Sequence, residues 1–133
     1  MPNHESTREQ VTGSMKTAAE LFAEARERIT QVTPEEVRDA LARGEDLALI
    51  DVREPNEWNL GHLPGAIHIP RGVLESGIER HEVPRERRVV LYCASGNRSA
   101  LAVESLQAMG YETVASMATG FRGWCEMGGD IED

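Results

Sequence analysis

The chain has few cysteines, no long apolar run and no targeting signal. Of its 133 residues only Cys93 and Cys125 are cysteines, which are too few for a disulfide framework, so we expect free thiols. The longest apolar runs, such as residues 47–50 and 89–92, are too short to cross a bilayer. The amino terminus is polar, without the apolar core of a secretory signal, and its acidic residues argue against a transit peptide. These absences predict a cytoplasmic protein.

Positive charge is also in the minority. The chain carries 14 lysines and arginines against 23 aspartates and glutamates, a formal net charge of -9. Nucleic acids and anionic membranes bind proteins that carry clustered positive charge, so we expect neither as a partner. One arginine cluster is an exception, and it is interpreted either as a solvated loop or as a docking surface for an acidic protein. The cluster comprises Arg80, Arg85, Arg87 and Arg88.

Cofactor motifs are missing as well. The nearest glycine cluster, residues 120–129, lacks the spacing of a dinucleotide fingerprint, and the chain has no internal repeat. Neither cysteine has a Cys or His partner at a zinc-like spacing. The sequence therefore predicts no nucleotide cofactor and no metal site.

The length allows one domain with an appendage. Residues 1–13 show no hydrophobic periodicity and are expected to be a disordered leader. The Gly13-Ser14-Met15 junction leaves open that this leader derives from expression and that the native start is Met15. Residues 14–29 are expected to form an amphipathic helix, which can pack either on its own domain or on a second subunit. Residues 30–133 then form the main domain.

Strand and helix patterns alternate through the main domain. This alternation predicts an α/β fold with a parallel sheet, helices on both faces and ligand sites at the carboxyl ends of strands. In the helix expected over residues 99–109, Ala100 is placed outside the apolar face. Strands are expected at 47–52, 67–69, 88–92 and 112–115, and helices from Thr33-Pro34 to Gly44 and at 55–60, 73–79, 99–109 and 121–127.

The most informative stretch surrounds Cys93. A strand at 88–92 delivers this thiol to the sheet edge, where loop N–H groups and the positive end of the next helix favour a thiolate. A packing cysteine is the alternative, but it needs neither a glycine for an unusual backbone angle nor an arginine before the helix. We therefore predict that Cys93 is a nucleophile. Its expected anion-binding loop comprises Ala94, Ser95, Gly96, Asn97, Arg98 and Ser99.

Other polar residues are assigned structural roles. Asp51 and Arg53 follow a strand and could be catalytic, but we favour a buried ion pair that supports the site. His62 could be a general base, and we favour a hydrogen-bonding turn residue. Cys125 is interpreted as packing, with a resolving thiol left open.

Four motifs lie at residues 49–54 with 57–58, at 61–66 with 69–70, at 92–99 and at 120–124. In this order they resemble the motifs of the rhodanese family. The resemblance covers about Ile29 to Asp130 and implies a rhodanese-like three-layer fold, with a central mostly parallel sheet and an extra amino-terminal helix. Ala94 departs from the arginine that the family often has after the cysteine, and Thr119 replaces a glycine.

The resemblance implies a sulfurtransferase that carries sulfur as a persulfide on Cys93 and needs no cofactor beyond this covalent intermediate. The thiolate attacks the sulfane sulfur of thiosulfate or another persulfide donor, and cyanide or a thiol then accepts the outer sulfur. Because Ala94 removes a cationic contact for an anionic donor, a relay module with a protein sulfur donor or acceptor stays open.

Cysteine phosphatases and arsenate reductases are the competing enzymes, because phosphatases that share the family fold have a Cys-x5-Arg loop. This chain has Cys-x4-Arg, from Cys93 to Arg98. One residue fewer makes a tighter ring of N–H groups, which suits a persulfide sulfur better than a tetrahedral phosphate. The sequence therefore favours sulfur chemistry.

Overall fold

A computed structural model describes residues 15–133, in which helices and strands alternate. The leader predicted over residues 1–13 lies outside the described residues. The helices are α1 (Ala18–Arg28), α2 (Pro34–Ala42), α3 (Pro55–Trp58), α4 (Leu74–Arg80), α5 (Asn97–Ala108) and α6 (Gly120–Glu126). The strands are β1 (Thr30–Val32), β2 (Leu47–Asp51), β3 (Ile67–His68), β4 (Arg88–Tyr92) and β5 (Val114–Met117), and a 3-10 turn at Arg71–Val73 precedes α4.

The five strands form one parallel sheet in the order β1-β5-β4-β2-β3. Strand β4 lies at its centre, and its side chains alternate between two apolar layers. Val89 and Leu91 pack in the layer with α4 and α5, while Val90 and Tyr92 pack in the layer with α2 and α6. The predicted α/β fold with helices on both faces is confirmed.

Two helices begin at threonine capping boxes. Thr33 Oγ accepts a hydrogen bond from Glu36 N at 3.1 Å, and the Glu36 carboxylate accepts one from Thr33 N at 2.8 Å. Thr17 and Glu20 form the same pair of bonds at the start of α1. Each cap satisfies backbone donors that the first turn leaves without partners, so α1 begins after Thr17 rather than at residue 14.

Helix α1 packs on α5 of the same chain, which buries part of its apolar stripe and leaves Leu21 exposed. Ala25 is fully buried, and Arg28 forms an ion pair with Glu104 of α5 at 2.7 Å. Ala100 was expected outside the apolar face of α5, but it is fully buried. Ala100 lies one turn before Glu104, on the side of α5 that faces α1. The prediction for Ala100 was wrong because the packing of α1 on this side could not be read from the sequence of α5.

Strand β1 has no counterpart in the sequence predictions. It has three residues, of which only Val32 is buried, and it pairs with β5 at the sheet edge. Such a short, mostly exposed strand carries too little hydrophobic periodicity to be recognised. Across residues 15–133, none of the helices combines the length and apolar character that a bilayer crossing requires.

Candidate active site

Cys93 directly follows β4, at the carboxyl edge of the sheet, and its side chain is buried with 1% exposed. The next residues turn around its sulfur before α5 begins. Gly96 N lies 3.1 Å from Sγ and Ser99 N lies 3.4 Å from it, and both N–H groups donate to the sulfur. The structure thus brings the predicted nucleophile and loop together around one atom.

The sulfur takes the place of a helix cap. Helix α5 has Gly96 at its N-cap position, and glycine offers no side-chain acceptor. Gly96 has a φ of +97°, a left-handed conformation that glycine adopts readily. Cys93 Sγ accepts from Ser99 N, the donor that an N-cap side chain ordinarily satisfies. Positive charge at the start of α5 is therefore directed at the sulfur.

The loop carbonyls point toward α6. Phe121 N donates to Cys93 O at 2.8 Å, and Arg122 N donates to Ala94 O at 3.0 Å. In a trans peptide the N–H points opposite to the C=O, so these contacts turn the next N–H groups toward the inside of the loop. Gly120 makes this approach possible, because a Cβ there would lie 2.5 Å from Cys93 O.

A second source of stabilisation is a pair of buried hydroxyls. Ser99 Oγ lies 3.5 Å from Sγ and 2.7 Å from Ser116 Oγ on β5. Burial raises the pKa of the Cys93 thiol, but the Ser99 hydroxyl and the N–H groups of Ser99, Ser95 and Gly96 outweigh it. The pKa of Cys93 is therefore held below that of an ordinary thiol, as a nucleophile requires.

Arg98 is not a free cation beside the sulfur. Its two terminal nitrogens lie 3.1 and 3.2 Å from the carboxylate oxygens of Glu57 on α3, which is a bidentate ion pair. Hydrogen bonds from Arg98 lower the pKa of Glu57, so the pair stays charged. Arg98 thus ties the loop to α3, and its charge is largely balanced.

Asp51 and Arg53 form a buried ion pair with bonds of 2.8–3.1 Å. Arg53 also donates to Gly61 O at 2.7 Å, and its guanidinium lies 4.1 Å from the centre of the Phe121 ring. These contacts join the end of β2 to α6, whose first N–H groups hold the Cys93 loop. Both side chains are placed to support the site, with no contact to the sulfur.

His62 lies in a turn, away from the loop. Its Nδ1 lies 3.2 Å from Trp58 O, and its ring stacks on Trp58 with centroids 3.4 Å apart. Trp58 also stacks on His68, with ring centroids 4.8 Å apart. A ring held in this way has a structural role rather than that of a base next to Cys93.

The remaining candidate functional residues lie outside the Cys93 site. Cys125 is exposed, so the interpretation of it as a packing residue was wrong. Three arginines of the basic cluster are engaged within the chain: Arg85 with Glu79, Arg87 with Asp46 and Arg88 with Glu45. In residues 15–133, no group of three or more His, Cys, Asp or Glu side chains is arranged to hold a metal ion.

The fold and the site together define an α/β domain with a buried cysteine of lowered pKa at the carboxyl edge of a parallel sheet. The chain belongs to the rhodanese-like domain family, whose model matches residues 33–127. Helix α1 and β1 precede this matched region.

Three similar proteins extend the comparison. A sulfurtransferase of Allochromatium vinosum is 34% identical over 100 residues, which are 75% of this chain and 92% of that protein. The probable adenylyltransferase/sulfurtransferase MoeZ of Mycobacterium tuberculosis is 40% identical over 95 residues, 71% of this chain. The chain spans only 24% of MoeZ. A Rhodopseudomonas palustris structure, described as of unknown function and a possible tyrosine phosphatase, has TM-score 0.80 and 31% identity over 89% of this chain and 96% of that one.

Sequence reasoning missed two residues that shape the site. Ser116 extends the hydroxyl pair from β5, and Arg26 donates from α1 to the loop carbonyl of Ser95 at 2.8 Å. Neither residue lies in a motif, so the sequence carried no local signal for them. Glu57 lies within a motif, but its pairing with Arg98 follows only from the fold.

Proposed function

We propose that the protein is a sulfurtransferase that carries sulfane sulfur on Cys93 as a persulfide. The observation that supports this most strongly is the set of donors on Sγ, formed by the N–H groups of Gly96 and Ser99 and the Ser99 hydroxyl. These donors favour a sulfur anion without a metal or an adjacent base. The sulfurtransferase name of the Allochromatium relative is consistent with this chemistry.

The reaction has two displacements. The Cys93 thiolate attacks the outer sulfur of thiosulfate, the S–S bond of the donor breaks, and sulfite leaves with the electron pair. The negative charge then lies on the outer sulfur of the persulfide. Cyanide or a thiolate attacks that sulfur, and Cys93 leaves as the thiolate. The donors of the loop stabilise the Cys93 anion before the first displacement and after the second.

Thiosulfate is the simplest donor, and a protein persulfide is the alternative. Ala94 supports the alternative, because a methyl group there offers an anionic small molecule no cationic contact. Arg98 is engaged by Glu57, so it is not free to bind sulfite as it leaves. A protein donor would bring its own binding surface and would not depend on such a cation.

Phosphatase chemistry is the competing proposal, and the description of the Rhodopseudomonas palustris protein names it. A phosphatase loop must surround a tetrahedral phosphate and direct an arginine at its oxygens. Here two of the loop N–H groups donate to the sulfur itself, and the arginine is paired with Glu57. This arrangement favours an anion on the sulfur over an oxyanion above it.

Mass spectrometry of the intact, reduced protein tests the proposal. After incubation with thiosulfate we expect a gain of one sulfur atom, and cyanide should remove it with formation of thiocyanate. Loading from a protein persulfide but not from thiosulfate would identify the relay. No loading from either donor, with cleavage of an aryl phosphate that depends on Cys93, would overturn the proposal.

Ser99→Ala is expected to make Cys93 less acidic. The variant keeps the backbone N–H but removes the hydroxyl that lies 3.5 Å from Sγ and donates to it when Cys93 is a thiolate, while burial still opposes the charged form. We expect the thiol pKa to rise by about one unit, because a hydrogen bond to a charged group contributes about 1.5–3 kcal/mol at good geometry and less at long distance. The pH dependence of Cys93 alkylation measures this shift.

Ser76→Ala is the matched control for Ser99→Ala. Ser76 is an exposed serine on α4, and the same change there should leave the alkylation profile of Cys93 unaltered. If Ser99→Ala alkylates with the wild-type pH profile, the hydroxyl does not stabilise the thiolate.

A further inference from the structure

Helix α1 lies before the region that the family model matches, yet one of its side chains reaches the Cys93 loop. Arg26 Nη2 lies 2.8 Å from Ser95 O and 2.8 Å from Asn97 Oδ1, and it donates to both. One guanidinium nitrogen therefore bridges the two neighbours of Gly96, which are Ser95 in the loop and Asn97 at the start of α5.

The contact with Ser95 acts on the sulfur through one peptide unit. Ser95 C=O and Gly96 N–H belong to the same planar trans peptide, so fixing the direction of the oxygen fixes the direction of the N–H. That N–H lies 3.1 Å from Cys93 Sγ. The cation on the carbonyl also polarises the peptide and makes Gly96 N–H a stronger donor.

Gly96 is confined between Arg26 and β5. A Cβ at this position would lie 2.9 Å from Arg26 Nη2 and 2.2 Å from Ala118 O, just after β5. The peptide therefore has little room to turn away from the sulfur while Arg26 is in place. Loss of the guanidinium would open one side of this confinement and would release both Ser95 O and Asn97 Oδ1.

The charge of Arg26 also differs from that of Arg98. Arg98 is balanced by Glu57, whereas the polar partners of Arg26 within residues 15–133 are a carbonyl and an amide oxygen, both neutral. Arg26 thus brings to the outer side of the loop a cation whose hydrogen-bond partners among the described residues are neutral. It lies on the outer side of the loop, where it stabilises a sulfur anion on the inner side through the intervening peptide dipole.

We propose that Arg26 is a positioning residue for Cys93, which holds the Gly96 N–H on the sulfur and makes α1 a working part of the active site. Its importance for turnover rests on the proposed sulfur transfer. The positioning itself is a property of the thiol, and it can be measured without any sulfur donor.

The test compares Arg26→Gln with Arg28→Gln, each in a Cys125→Ser background so that only Cys93 is alkylated. Arg28 lies on the same helix and joins it to α5 through Glu104, without reaching the loop. Both variants weaken the attachment of α1, but only one releases Ser95 O. The readouts are the pH profile of iodoacetamide alkylation and the thermal unfolding midpoint.

We expect Arg26→Gln to move the alkylation midpoint upward by about 0.5–1 pH unit and to slow alkylation at neutral pH about 3–10-fold. Arg28→Gln should keep the wild-type profile even where its unfolding midpoint falls. Arg26→Lys keeps a cation, so its alkylation midpoint should lie between those of wild type and Arg26→Gln. It also provides a second measurement if Arg26→Gln folds poorly.

Equal profiles for Arg26→Gln, Arg28→Gln and wild type would overturn the proposal. A shift in Arg26→Gln that Arg26→Lys does not reduce at all would assign the effect to the packing of α1 and would also overturn it. Should the wild-type protein fail to gain sulfur from any donor, the proposed function fails, but the alkylation shift still decides the role of Arg26.

Discussion

Cys93→Ser is expected to lose sulfur loading and thiocyanate formation entirely. The rate of sulfur transfer should fall at least about 10³-fold, to the level of the uncatalysed reaction, because a serine hydroxyl is not ionised near neutral pH and forms no persulfide. The fold should survive, since a serine oxygen can accept the Gly96 and Ser99 N–H groups as an ordinary cap does. The free energy of unfolding should change by less than about 1 kcal/mol.

The second cysteine provides the control for this prediction. Cys125 is exposed on α6, and Cys125→Ser should load one sulfur atom and release it to cyanide at the wild-type rate. Intact mass and the thiocyanate assay measure both variants. Sulfur loading that survives in Cys93→Ser would place the nucleophile elsewhere, and a partial loss in both variants would indicate two cooperating thiols.

Gly96→Ala is expected to cause a large loss of stability together with a loss of activity. Its φ of +97° is strained for alanine, and the new Cβ would lie 2.2 Å from the backbone oxygen of Ala118. Strain and overpacking together should lower the free energy of unfolding by about 2–5 kcal/mol. The displaced N–H should also weaken its bond to Cys93 Sγ, so transfer slows in the fraction that still folds.

Gly110→Ala is the control that distinguishes backbone strain from steric clash in Gly96→Ala. The φ of Gly110, +94°, is almost the same, but a Cβ there would meet nothing within 4 Å. Gly110→Ala should therefore lose only about 1–2 kcal/mol, the cost of a left-handed conformation. Urea unfolding followed by circular dichroism measures both variants. Equal losses would mean that the approach of Ala118 to Gly96 contributes nothing.

The place of the reactive thiol was predictable because its signals are local in the sequence. Strand β4 has the predicted bounds, and Cys93 and Gly96 follow it within four residues. The start of α5 was less predictable: it begins at Asn97, two residues before the predicted Ser99. Its cap is a sulfur atom from the preceding strand end, which the usual rules for side-chain caps do not consider.

The supporting residues could not be found because they come from distant elements. The partner of Ser116 in the loop lies 17 residues away in the sequence. The loop partner of Glu57 lies 41 residues away, and that of Arg26 lies 69 residues away. Such pairs depend on the order of strands in the sheet, which periodicity within a segment does not encode. Ala100 shows the same limit, since its burial depends on a helix that packs from outside the main domain.

The strand order also has a consequence for how the protein is made. Within residues 15–133, strand β1 pairs with β5 alone, and β5 is the last strand of the sheet to leave the ribosome. During synthesis β1 therefore has no strand to pair with until β5 has been made, so its pairing forms late. A nascent chain that ends before β5 contains Cys93 but lacks Ser116 and α6, whose first N–H groups hold the carbonyls of the Cys93 loop. The contacts that hold the Cys93 loop are therefore complete only once α6 has been made.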